Sequence, residues 1–179
     1  MNPIRFKRFF QWRTLLPIVL LLLLTACAAQ DKEMATLDLS DTSWMYLKTE
    51  HRGIMKIVTY TYIPEKLSQN NHNDILELKD TDRKNFSGTV KESQAQLLKI
   101  RLESCPDTRS EIIEQDENSI IYELYTDNCP NVQNDYSLTR ILYGKSHVYL
   151  IIFSRKGEKS LDQKKNEWLK VARSAKIQF

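Results

Sequence analysis

The sequence predicts an α+β domain in which a mainly antiparallel sheet carries two packed helices, one mid-chain and one C-terminal. Three observations predict it. Segments rich in β-branched and aromatic residues recur along the chain, four of them in succession between Glu111 and Ser154. Two other segments repeat apolar residues at helical spacing, and each opens with a Ser or Thr followed three residues later by Glu or Gln, the spacing of a capping box. Only Gly144-Lys145-Ser146 separates the last two strand segments, a connection that makes them a hairpin with Gly at the permissive turn position.

Ahead of this domain, Met1 to Arg13 carries Arg5, Lys7, Arg8 and Arg13 and no acidic residue, and Leu15 to Leu24 (LLPIVLLLLL) follows as an apolar run. That run is far shorter than the roughly 20 residues needed to cross a hydrocarbon core of about 30 Å. With small residues at Thr25 and Ala26, the stretch has the three parts of a signal peptide. Leu24-Thr25-Ala26-Cys27 resembles the bacterial lipobox, and the resemblance implies that Cys27 is diacylated and becomes the first mature residue. Each buried methylene contributes about 0.8 kcal/mol, so two or three chains hold such a protein effectively permanently. Ala28, by resemblance to enterobacterial lipoproteins, favours the outer membrane, facing the periplasm. The expected organisation is a signal peptide over 1–26, a lipidated Cys and flexible tether over 27–41 (AAQDKEMATLDLSD after the Cys), and a single α+β domain over 42–179.

Within the domain, Thr42 to Leu47 and Ile54 to Ile63 read as strands. The second has Val58, Tyr60 and Tyr62 on one face and Ile57 and Ile63 on the other; it reads as a central strand, with Ile54 and Met55 included. Pro64 ends it, a loop rich in turn formers runs to Asn73, and Asp74 to Lys79 is a short strand. Thr89 and Glu92 form a capping pair that starts a helix over 89–104, with Val90, Gln94, Leu97, Leu98, Arg101 and Leu102 along one stripe. Strands at Glu111–Glu114, Ser119–Thr126, Tyr136–Tyr143 and Val148–Ser154 then follow as a meander. The last of these is continuously apolar to Phe153 and so should be covered on both faces. Ser160 and Gln163 cap the final helix, whose apolar side is Leu161, Trp168, Val171, Ala172 and Ala175, with Trp168 as its anchor.

Charge and cysteine content follow from the division. Four of the 26 basic residues and none of the 23 acidic ones lie in 1–26, which leaves 22 against 23 in the mature chain; nothing in that balance favours nucleic acid. Cys105 and Cys129 remain after lipidation of Cys27, an even number for an oxidising compartment, and both sit in turn-like contexts beside Pro. They are expected to form a disulfide worth about 3.5 kcal/mol in the chain-entropy model.

The segment YGKSHVYLIIFSRK, the preceding Cys-containing loop and the final helix with Trp168 together resemble small uncharacterised proteobacterial periplasmic proteins and lipoproteins. So does the run from Tyr62-Ile63-Pro64-Glu65 to Asn73-Asp74-Ile75-Leu76, where His72 departs from an expected Trp. The resemblance spans roughly 54 to 176 and implies a PsbP-like arrangement; its motifs are packing motifs and bring no catalytic residue.

Chemistry-bearing patterns are sparse. His51, His72 and His147 are widely separated, and neither HExxH, nor paired Cys/His spacing, nor GxSxG, nor a Gly-rich phosphate loop occurs. No metal, cofactor or enzyme activity is expected. The tyrosines lie on predicted strands, Tyr60, Tyr62, Tyr122, Tyr125, Tyr136, Tyr143 and Tyr149 among them; Tyr60, Tyr62, Arg140 and Tyr149 are the candidate binding face, since Tyr and Arg are favoured at interfaces. The expected function is a membrane-anchored periplasmic lipoprotein acting as a non-enzymatic binding or accessory module of the cell envelope, its partner another envelope protein. The alternative is a small-ligand or lipid carrier with an apolar pocket between helix and sheet.

Overall fold

Strands that are apolar on both faces require a cover on each, and the chain supplies one helix to either side of its sheet. The computed structural model describes residues 33–40, 44–65, 73–126, 129, 135–157 and 162–179. The expected signal peptide and lipobox with Cys27, His72, and the side chains of the expected capping pair Ser160 and Gln163 lie outside the described residues. Glu33–Gln178 make up one compact unit.

Among the described residues the elements follow in the order β1 (Met34–Thr36), β2 (Trp44–Arg52), β3 (Ile57–Pro64), β4 (Asp74–Asp82), α1 (Val90–Ser104), β5 (Thr108–Gln115), β6 (Ser119–Thr126), β7 (Asp135–Tyr143), β8 (His147–Lys156), α2 (Asp162–Ser174) and β9 (Lys176–Gln178). A 3-10 turn, Arg83–Asn85, links β4 towards α1. Seven strands form one sheet in the order β2-β3-β4-β8-β7-β6-β5, and each neighbouring pair is antiparallel. β1 and β9 pair separately, Met34 opposite Gln178.

β8 stands in the middle, with three strands on each side. Because successive side chains on a strand point to opposite faces, Tyr149, Ile151 and Phe153 join one core with Leu138, Tyr136 and the α2 residues Trp168, Leu169, Val171 and Ala172. Val148 and Leu150 join the other with Ile120, Tyr122, Ile141, Tyr143 and the first α1 residue, Val90. Trp168 is fully buried, stacked on Phe153 at 5.3 Å between ring centroids and tilted over Tyr136 at 6.3 Å. The α1 N-terminus closes with the capping box that Thr89 and Glu92 predict: Thr89 Oγ1 accepts from the Glu92 amide and the Glu92 carboxylate accepts from the Thr89 amide.

The sheet has two distinct ends. At the upper end lie the β2–β3, β5–β6 and β7–β8 turns, the 3-10 turn and the start of α1; at the lower end lies the Cys105–Cys129 disulfide, its Cα atoms 4.9 Å apart.

Four expectations need correction. The segment expected as a flexible tether over 27–41 contains β1, Met34–Thr36, because that strand finds a partner in β9 beyond the final helix. Ile54 and Met55 are turn residues, not part of β3: the chain reverses through Gly53 at φ 66° and Lys56 at φ 51°, with the Lys56 amide donating to the Gly53 carbonyl at 3.1 Å. β3 is one strand in from the edge rather than central. Gly144 does not sit at positive φ; its place is set by crowding, since a Cβ there would collide with the Glu33 carboxylate.

Candidate functional site

All four residues of the predicted binding face sit on the α2 side of the sheet, where the pairings Tyr60–Leu78, Leu78–Ile151 and Arg140–Ile151 line them up across neighbouring strands. Their exposure separates them. Tyr149 is 1% exposed, and its hydroxyl meets no hydrogen-bond partner among the described residues. Burial, with Asp80 and Glu33 nearby, pushes that phenol well above its ordinary range. Tyr60 and Tyr62 are half-buried. Tyr62 meets Tyr46 of the edge strand β2 edge-on at 5.9 Å, and Tyr46 is 54% exposed. The solvent-facing aromatic surface is therefore Tyr46, Tyr60 and Tyr62; Tyr46 lies on the strand expected at Thr42 to Leu47 but outside the expected binding face.

Arg140 faces the last turn of α2. Its Nη1 donates to the carbonyls of Ala172 at 2.6 Å, Arg173 at 3.2 Å and Ala175 at 3.3 Å, and its Nε donates to Ser119 Oγ at 2.9 Å. These carbonyls carry the negative end of the helix dipole, so a guanidinium there caps the helix. Burial lowers the Arg140 pKa, opposed by Asp116 and Glu114. Beside it opens a cleft of about 470 Å³ lined by Glu114, Gln115, Asp116, Ser119, Ile121, Arg140 and Arg173. Arg173 Nε donates to Glu114 Oε1 at 2.8 Å. The cleft is thus charged, with both signs represented, and unlike an apolar carrier pocket.

Two buried carboxylates bind α2 to the sheet. Asp74, 1% exposed, accepts from Arg155 through both oxygens and from Lys164 at 2.5 Å. Burial raises its pKa, but the two cations outweigh that and hold it below the ordinary carboxylate range. Glu123, fully buried, pairs with Lys165 at 2.6 Å and accepts from Tyr136 at 2.7 Å and Tyr125 at 2.5 Å; burial raises its pKa too, and Lys165 with the two hydroxyls brings it below normal. Both are structural in position, at joints between helix and strand.

The upper end holds a third buried carboxylate, which pairs with no cation among the described residues. Glu33, 6% exposed, accepts from the backbone amides of Lys145 at 2.9 Å, Ser146 at 3.1 Å and His147 at 3.1 Å, and from Ser146 Oγ at 3.3 Å. Converging amides of a turn make a nest suited to an anion. In the same turn the Ser146 carbonyl accepts from the Arg83 amide at 2.8 Å, while Thr81 Oγ1 and Asn85 Nδ2 donate to the Met55 carbonyl at 3.0 and 2.9 Å. Glu33, the β7–β8 turn, the 3-10 turn and the β2–β3 turn are thereby tied into one surface, on which Ile54 is fully exposed and Met55 43% exposed.

His147 Nδ1 lies 2.6 Å from Asp80, and His51 is exposed on β2. Among the described residues no group of three or more His, Cys, Asp or Glu side chains could hold a metal ion, and no helix is long and apolar enough to cross a membrane.

No protein-family model matches the chain, and no curated protein matches it. In structure it is similar to the solution structure of cyanobacterial PsbP (CyanoP) from Synechocystis sp. PCC 6803, with a TM-score of 0.47 and 12% identity over 84% of this chain and 95% of that one.

Proposed function

We propose that this protein is a lipid-anchored periplasmic module of the bacterial cell envelope, held to the outer membrane through Cys27 and working without enzyme activity by binding another envelope protein. The observation that carries the partner half of the reading is the aromatic strip on β2 and β3, in which Tyr46 is exposed and Tyr60 and Tyr62 are half-buried beside it. It lies beside an edge strand whose outer backbone groups take no part in the sheet ladder. Tyrosines give large contact area at small entropic cost, and an edge strand gives a partner backbone something to pair with. The lipobox and the disulfide between Cys105 and Cys129 support the compartment, since disulfides persist where the surroundings are oxidising. The charged lining of the cleft beside Arg140 weighs for an adaptor over a lipid carrier.

The test is a photo-crosslinking residue placed at Tyr46 in the full-length protein in its own membrane, with a second placed at the exposed Ile100 of α1 as reference. A discrete adduct with one envelope protein from position 46 and none from position 100 is the expected result. Equal, diffuse labelling from both positions contradicts the reading.

A further inference from the structure

The way the chain enters the domain sets which end faces the membrane. Glu33 is locked into the β7–β8 turn, and it lies six residues beyond Cys27. Fully extended, six residues reach at most about 20 Å. If Cys27 carries the lipid, the upper end of the sheet is held at the bilayer surface and the disulfide end is directed away.

One corner of that upper end has the composition of a membrane contact. At the β2–β3 turn Ile54 is fully exposed and Met55 43% exposed, side by side, with Arg52, Lys56 and Lys84 exposed around them. Apolar side chains in a tight turn cover no core, and burying them in the interfacial region of a bilayer removes that surface from water. Glu50 is shared by Lys48 and Arg52, Asp82 pairs with Lys84, and Asp80 meets His147, so the three carboxylates of this corner stand against the four cations Lys48, Arg52, Lys56 and Lys84 and leave a small positive balance. The opposite corner of the same end, at the β5–β6 turn, carries Asp116 and Glu117 beside Glu114 and is several strands distant. A bilayer with anionic headgroups therefore selects one corner, tilting the sheet and leaving the charged cleft in water.

We infer that Ile54 and Met55 insert into the interface of the membrane to which the protein is tethered, so that the domain docks in one orientation rather than hanging freely. The inference rests on lipidation at Cys27 for its geometry, and the two fail separately in the following experiment. Full-length protein carrying Ile54→Trp, purified from its own membrane, is placed in vesicles of phosphatidylethanolamine and phosphatidylglycerol that contain brominated phosphatidylcholine. Intact mass is read on the same sample. Brominated chains quench only tryptophans at the bilayer. Loss of most of the emission that Ile54→Trp adds to the parent protein, whose own tryptophans give the baseline, with the emission added by an Ile100→Trp variant left unquenched, is the expected result. An acylated protein whose residue 54 emission is unaffected overturns docking and leaves the anchor standing. Quenching at 54 in protein without acyl chains leaves docking standing and overturns the anchor. Met55→Glu combined with Ile54→Trp should restore emission; undiminished quenching in that variant also contradicts the inference.

Discussion

The two faces of the sheet are covered by helices of similar length but held in different ways. Helix α2 is fastened along its whole length: Trp168 stacks on Phe153 and tilts over Tyr136, Lys164 and Lys165 reach the buried Asp74 and Glu123, and Arg140 closes its last turn. Helix α1 buries only Val90, Ser93 and Gln94 outright and leaves Ile100 and Leu102 exposed. Its fixings are at its ends. Thr89 caps it and Ser93 bonds the Tyr143 hydroxyl near the start, while Arg101 pairs with Asp135 at 2.7 Å and the disulfide follows at the finish. A helix with a broad apolar contact is stabilised by packing, and one with a thin contact depends on caps, ion pairs and covalent closure.

That contrast orders the expected effects of mutation. Trp168→Ala removes the largest fully buried side chain and should cost about 3–5 kcal/mol, read as a fall in the denaturant midpoint. A Trp168→Ala variant as stable as the parent would break the contrast at its strongest point. Replacing Cys105 and Cys129 together by Ser should cost about 3.5 kcal/mol for a loop of this length, and hydrogen exchange should quicken in α1 more than in α2. Equal quickening in both helices would show that the disulfide supports the whole domain.

Asp74→Asn leaves Arg155 and Lys164 without their anion. The expected loss is about 2–3 kcal/mol, below the usual figure for a buried pair because Lys164 is 40% exposed. The same pairs predict a pH dependence. Asp74 and Glu123 are held below their ordinary values of 3.8 and 4.5, so the unfolded chain binds more protons than the folded one in that range. The stability they add is complete above those values and is lost as pH falls through the lowered ones. Asp74→Asn should flatten the acid side of the stability profile; an unchanged slope would assign the acid sensitivity elsewhere. The smallest effect is expected from Thr89→Ala, about 1 kcal/mol, through the open capping box of α1.

Legibility in the sequence followed the same division between local and tertiary causes. β6 runs over Ser119–Thr126, the same residues its β-branched and aromatic run predicts, and β8 is the covered middle strand that its unbroken apolar run predicts. The Thr89–Glu92 box marks its helix start because the signal is contained within four residues. β1 and β9 were not legible: three residues each, they exist only because each finds the other across the chain. Ile54 looked like strand because it is β-branched and adjoins a strand; its exposure in a turn depends on where the chain reverses. Arg140 looked like an interface residue because its partners are carbonyls of a helix that lies 32 residues further on. Glu33 gave no signal, since its partners are backbone amides and any carboxylate looks alike in a sequence.

The central claim, a lipid anchor at Cys27, is tested most directly by the intact mass of the protein extracted from its own membrane, set beside a Cys27→Ser variant. A mass that begins at Cys27 and carries added acyl chains, both lost in the variant, is the result expected. A mass equal to the whole unprocessed chain would contradict it, and residues 1–26 would then be an anchor of a different kind.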